Sequence, residues 1–157
     1  MHNHQPIMPL NLKTLRTRFT LNFLRALKKI NQIQTQDIID ENNNINNNIN
    51  NVMVVKTYKK VKVAADASLA SAVGPRRAWA RSILLRARPG SRRLRRVLGR
   101  RRRAEMGRAE ELRRLVPGGE AMEDMQCLLD ETLHYVMCLN TQVNVMRNIV
   151  DFCSKSS

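Results

Sequence analysis

The chain has 157 residues, a net charge of +15 and aromatic residues at only 4% of its positions. A compact globule of that length normally carries a larger aromatic core, and self-repulsion at such a charge opposes compaction. The composition therefore points to a short folded module beside basic segments, and to an acidic partner such as nucleic acid, a membrane face or an import receptor.

Cys127, Cys138 and Cys153 are the only cysteines, and no CxxC pair occurs. His2, His4 and His134 do not cluster with them at ligand spacing. A disulfide framework, a zinc site or any other metal site is therefore not expected, and a reducing compartment is the default. No cofactor is expected either. No apolar run approaches the roughly 20 residues that a membrane span needs, and no secretory signal is read in the first residues.

Residues 1–14 are polar with two prolines, Pro6 and Pro9, and are expected to be disordered. An amphipathic helix follows over 15–35, clearest from Arg18 to Ile33. Phe19, Phe23, Leu27 and Ile30 fall on one face at steps of three and four, and Leu24 widens the stripe. Lys28 and Lys29 lie in the last turns, where the helix dipole favours cations. Residues 1–36 hold six basic residues and no acid, a pattern shared with mitochondrial transit peptides. The scarcity of serine and the basic character of the rest of the chain weigh against that reading.

Residues 36–53 include NNNINNNINN at 42–51 and read as a linker, because such sequence cannot build a core. A helical hairpin is expected over 54–90. Tyr58, Val61, Ala65, Leu69 and Ala72 share a helical face, and Gly74-Pro75 ends that helix. In the short helix that follows, Trp79 and Ile83 lie on one side with Leu84 beside them, and Pro89-Gly90 stops it. Trp79, the only tryptophan, is read as the filler of a small hairpin core in preference to a binding anchor.

Between Arg76 and Arg103 there are thirteen arginines and no acid, whereas from Val116 onward Arg147 and Lys155 stand against six acids. Arg100 to Arg103 surround a helix axis and cannot share one solvated face. Residues 91–103 are therefore a segregated basic region. Arg92, Arg93, Arg95, Arg96, Arg100, Arg101, Arg102 and Arg103 are its candidates for nuclear import or phosphate contact.

Residues 104–153 carry the strongest pattern. Ala109, Leu112 and Val116 form an apolar stripe with Leu115 beside it, and Glu110 and Glu111 stand at helical spacing from Arg113 and Arg114. Val116-Pro117-Gly118-Gly119 ends that helix with turn chemistry. Acids from Glu120 to Asp124 suit the start of the next helix.

That second helix is expected from Met125 to Phe152. Met125, Leu129, Thr132, Val136, Leu139, Val143, Met146 and Val150 follow one another at 4, 3, 4, 3, 4, 3, 4, a heptad seam with one polar member. Leu128, Tyr135 and Ile149 flank it. A helix of this length runs roughly 42 Å at 1.5 Å per residue. The preceding helix of about four turns is too short to cover it, so a second chain is expected on the seam. The alternative is an intramolecular bundle with the earlier helices. Leu112, Leu115, Val116, Leu128, Leu129, Val136, Leu139, Val143 and Met146 are the expected dimerisation residues. His134 is expected to face solvent, and Cys127 and Cys138, eleven residues apart, to be small apolar fillers on one face. No constellation supports catalysis, so the chain is read as a non-enzyme.

The arginine-rich helix followed by LRRLVPGGE and LLDETLHYVMCLNTQVNVM resembles the helix-loop-helix domain of plant transcription regulators. The match is closest over Leu112 to Gly118 and Leu128 to Met146. Phe19 to Asn31 (FTLNFLRALKKIN) and Val63 to Leu85 (VAADASLASAVGPRRAWARSILL) resemble the N-terminal region of the atypical, non-DNA-binding group. That group binds "increased leaf inclination" regulators and represses brassinosteroid- and gibberellin-linked cell elongation. The resemblance covers roughly residues 15–152. It implies an all-α nuclear repressor that forms heterodimers with other helix-loop-helix factors, with a homodimer as the alternative.

DNA-binding members of the wider family carry His and then Glu-Arg-x-Arg-Arg before the first dimerisation helix. Counted back from Pro117, the His position falls on Leu94, the Glu position on Leu98 and the next Arg on Gly99, while Arg100, Arg101 and Arg102 remain. The missing carboxylate would have accepted a hydrogen bond from a cytosine amine. Arginines alone contact phosphate without reading sequence. DNA binding is therefore expected to be at most non-specific, and the regulator to act by sequestering its partner. The rival readings are a DNA-binding factor that uses the surviving arginines and an arginine-rich RNA-binding or organelle-targeted protein.

Overall fold

The computed structural model describes residues 11–40, 47–87 and 107–155. Among them the fold is all-α. Its elements are α1 (Leu12–Asp40), α2 (Asn47–Val73), α3 (Ala78–Ala87), α4 (Arg108–Leu115), a 3-10 turn (Gly119–Ala121) and α5 (Met125–Lys155). No helix of the described residues is long and apolar enough to cross a membrane.

α1 starts earlier and ends later than its hydrophobic pattern implies. Asn11 accounts for the start: its side-chain oxygen accepts the N–H of Thr14 at 3.1 Å, an N-cap that hydrophobic spacing does not register. The early start brings Leu15 into the stripe, so Leu15, Phe19 and Phe23 are buried at steps of four. The Phe19 and Phe23 rings stack at 5.4 Å, while Leu27 packs at the edge of the core. Leu24 does not widen the buried face; it is exposed.

The asparagine-rich stretch is shorter as a linker than its composition implies. α1 runs to Asp40 and α2 begins at Asn47, and 41–46 lie outside the described residues. Low helix propensity costs only a few tenths of a kcal/mol per residue, and packing further along each helix overrides it.

α2 lies chiefly against α1 and then against α3. Its Ala65, Leu69, Ala70 and Ala72 are buried with Ser68, whereas Tyr58, expected on that face, is exposed. Gly74 ends α2 with φ +87°, a left-handed conformation that glycine adopts without penalty. The expected stop at Pro89-Gly90 and the whole basic region 91–103 lie outside the described residues.

One core joins α1, α2, α3, Val116 and α5. Trp79 at its centre is fully buried. It does not fill a private α2–α3 hairpin core: its ring lies 4.9 Å from that of Tyr135 on α5.

Candidate dimerisation surface

The loop before α5 is set by two glycines and one arginine. Gly118 adopts φ +82° and lies against α3: a Cβ there would meet the Ala78 carbonyl oxygen and the Ser82 Cβ at 3.2 Å. A Cβ on Gly119 would fall 2.5 Å from the Arg113 carbonyl oxygen, so only glycine fits that close approach. Arg113 donates from Nε to the Met122 carbonyl at 2.9 Å and from Nη2 to the Glu123 carbonyl at 3.0 Å. It thereby ties α4 to the entry of α5, in addition to its 3.6 Å ion pair with Glu110 one turn back. Asp124 caps α5, its carboxylate accepting the N–H of Cys127 at 3.0 Å.

α5 has two long faces. At 100° per residue they lie roughly 120° apart around the axis. The inward face carries Leu128, Glu131, His134, Cys138, Gln142 and Val145, all buried, with Tyr135 and Ile149 packed against the core. It meets α1, α2 and α3.

Two polar members of that face, Glu131 and His134, are matched to α3 and the Arg77 just before it, whereas the Gln142 carbonyl oxygen is buried without a partner. Glu131 Oε1 accepts the backbone N–H of Trp79 at 3.0 Å, which supplies the first turn of α3 with an acceptor from another helix. Glu131 Oε2 and Asp130 Oδ2 each lie 3.3 Å from Arg77 Nη1. Trp79 Nε1–H donates to His134 Nδ1 at 3.2 Å. An indole N–H only donates, so the proton of the neutral imidazole is on Nε2. Burial lowers the pKa of His134, with Arg77 adding to the effect and Glu131 and Asp130 opposing it. Burial pushes the Cys138 thiol up to about 12, which keeps it protonated and unreactive.

His134 therefore does not face solvent as expected; the acceptor that Trp79 requires holds it inside. The two cysteines also part company. Cys138 fills the core, whereas Cys127 is exposed in the first turn of α5, before the packed stretch begins.

The outward face carries the heptad. Assigned a heptad register, Leu129, Val136, Val143 and Val150 take the a positions, and they are 53%, 53%, 44% and 61% exposed. Leu133 and Met137 extend this apolar surface over the first half of the helix and are also exposed. Leu139 and Met146, at d positions, straddle the border and pack partly against the core.

Of the nine residues expected to dimerise, Leu115, Leu129, Val136 and Val143 are thus exposed. Leu112, Leu139 and Met146 are shared with the chain's own core, and Val116 and Leu128 are buried within the chain. The sequence reading missed Arg77, Trp79, Glu131 and Arg113 as organisers of the surface. Only the position of Asp130-Glu131 amid an otherwise apolar stretch hinted at a buried acid. The eight candidate import or phosphate arginines lie outside the described residues, and no group of three or more His, Cys, Asp or Glu side chains among the described residues forms a metal site.

Among the described residues the fold is thus all-α and includes a helix-loop-helix whose second helix is buried on one face and carries exposed a positions on another. The family model described as "IBH1-like, N-terminal domain" matches residues 12–90, the span that holds α1, α2 and α3. The chain is 35% identical over 141 residues to "Transcription factor IBH1" of Oryza sativa subsp. japonica, covering 64% of this chain and 69% of that relative. It is 59% identical over 44 residues to "Transcription factor IBH1-like 1" of Arabidopsis thaliana, covering 28% of this chain and 24% of that relative. No solved structure matches. The chain belongs to the IBH1-like family of atypical helix-loop-helix proteins and is a transcriptional regulator. It spans about two thirds of the rice relative's length and about a quarter of the Arabidopsis relative's.

Proposed function

We propose that the chain is a nuclear repressor of cell elongation, acting in brassinosteroid-linked growth by forming heterodimers with other helix-loop-helix factors and keeping them from their E-box sites. One observation carries the reading: the aliphatic a positions of α5 face away from the chain's own core and are exposed. β-branched residues at a favour two-stranded pairing, and three of the four a positions are valine. The intramolecular bundle weighed as the alternative does form, but it uses the other face of α5, reaches the heptad only at Leu139 and Met146, and leaves the a positions exposed.

The basic region supports sequestration over DNA reading. Leu94 and Leu98 stand where a histidine and an accepting glutamate belong, and Gly99 where an arginine belongs. Arg92 to Arg103 are assigned to nuclear import and non-specific phosphate contact. Partners of the "increased leaf inclination" type are the expected class of atypical helix-loop-helix partner.

The test is a pairwise interaction screen against helix-loop-helix proteins of the same organism, followed by titration of the partner on E-box and scrambled duplexes at fixed salt. The chain alone is expected to bind both duplexes alike, with Kd on the order of 10⁻⁴ to 10⁻⁶ M, and to release the partner from its E-box as heterodimers form. A hundredfold preference of the chain alone for the E-box would instead make it a DNA-binding factor that reads through Arg100, Arg101 and Arg102. Release of the partner without a heterodimer would reduce the effect to competition for phosphate.

A further inference from the structure

We infer that the α1–α3 bundle is a permanent support for α5, latched by Arg77, Trp79, Glu131 and His134, and that a partner is bound by the docked chain, which presents its seam preformed. The inference rests on the dimerisation reading above and assigns the N-terminal domain a positioning role in it.

The first ground is that α4 is too small to do this work. It has eight residues, Leu115 at its end is exposed, and the cover on the inward face of α5 comes mainly from α1, α2 and α3. Without them Cys138 and Val145 would lose the core that they share with Phe19 and Trp79, leaving α5 apolar on two sides.

The second ground is the specificity of the contact. A buried carboxylate is costly unless its charge and lone pairs are matched. Glu131, 7% exposed, finds the Trp79 backbone N–H of α3 on one oxygen and the guanidinium of Arg77, the residue just before α3, on the other. One turn further along α5, His134 takes the only side-chain donor of Trp79. Gly118 closes the same corner by bringing the loop against Ala78 and Ser82. The four groups satisfy one another only when α3 is seated on α5.

The third ground decides the sign. The a positions stay exposed while the latch is closed, so a partner needs no undocking to reach them. Opening the latch would free α5 to fray, and the partner would have to bear the ordering cost. Loosening the latch must therefore weaken partner binding, whereas an autoinhibitory clasp would do the reverse.

The experiment uses the full chain and three readouts: amide exchange along α5, fluorescence of Trp79, and the dissociation constant for the helix-loop-helix factor returned by the screen. Glu131→Gln keeps the shape and removes the charge. It is expected to speed exchange of α5 amides at least tenfold, to shift the Trp79 emission, and to weaken partner binding by three- to tenfold, while amides around Phe19 in α1 stay protected. Arg77→Gln is the milder second variant, expected to change all three readouts in the same direction by less, so a Glu131→Gln chain that fails to fold does not remove the test. Unchanged or tighter partner binding by either folded variant overturns the inference. Val136→Glu separates the two readings: it is expected to abolish partner binding with exchange and fluorescence unaltered. If it binds normally, the seam assignment fails while the latch, read by exchange in the free chain, still stands.

Discussion

The two faces of α5 invert the usual relation between polarity and burial. The inward face holds a glutamate, a histidine and a glutamine and is buried; the outward face is aliphatic at every a position and is exposed. A polar group goes inside at low cost when it meets a partner there, as Glu131 and His134 do on α3; the carbonyl oxygen of Gln142, buried without a partner, is the exception on this face. The exposed aliphatic face is the surface proposed above to take a partner chain. Hydrophobic periodicity finds the second kind of surface and passes over the first.

The largest expected effect breaks the inward face. Trp79→Ala removes the largest fully buried side chain and leaves Nδ1 of His134 with only the weak Cys138 thiol donor at 3.6 Å. It should destabilise the fold by about 3–5 kcal/mol, measured as a lowered denaturant midpoint followed by circular dichroism, with partner binding lost as a consequence.

Charging the outward face sharpens the contrast. Val136→Glu should cost several kcal/mol of partner binding, because a charge is desolvated without a counterion, yet change folding stability by no more than about 0.5 kcal/mol. Leu139→Glu should lose both, since Leu139 packs against the core as well. Pull-down and thermal unfolding on the same two variants decide whether border and seam differ as described.

A smaller effect is expected at the corner where the faces meet the loop. Gly119→Ala forces a methyl against the Arg113 carbonyl. It should destabilise by roughly 1–3 kcal/mol, as overpacking does. Partner affinity of the folded fraction, measured by calorimetry, should change little, because the a positions are untouched.

The smallest expected effect is a pH dependence of the inward face alone. His134 has a lowered pKa when folded, so in the acid range the unfolded chain binds the proton more readily. Stability is then full above the unfolded value near 6.5 and declines as pH falls below it. Protonating Nδ1 also removes the acceptor for Trp79. The thermal midpoint of the wild type should fall between pH 7.5 and 5.5, and the drop should shrink in His134→Asn. An equal drop in both proteins would mean that His134 is not the titrating group.

The sequence by itself determined the all-α class, the turn at Gly118-Gly119 and the long helix that starts at Met125, because each rests on local chemistry: period, glycine and cap. It also marked Phe19, Phe23, Ala65 and Leu69 as core, since a helix's buried stripe is written in its spacing. It misjudged Tyr58, Leu24, His134 and the length of the asparagine linker, and it offered packing of the earlier helices on α5 only as the alternative to a second chain, without pairing Trp79 with Glu131 and His134. Tertiary structure alone decided these, because they depend on which helix lies opposite. Trp79 and Glu131 stand 52 residues apart in the chain, and no periodicity within either helix reports that one will supply the other's missing partner.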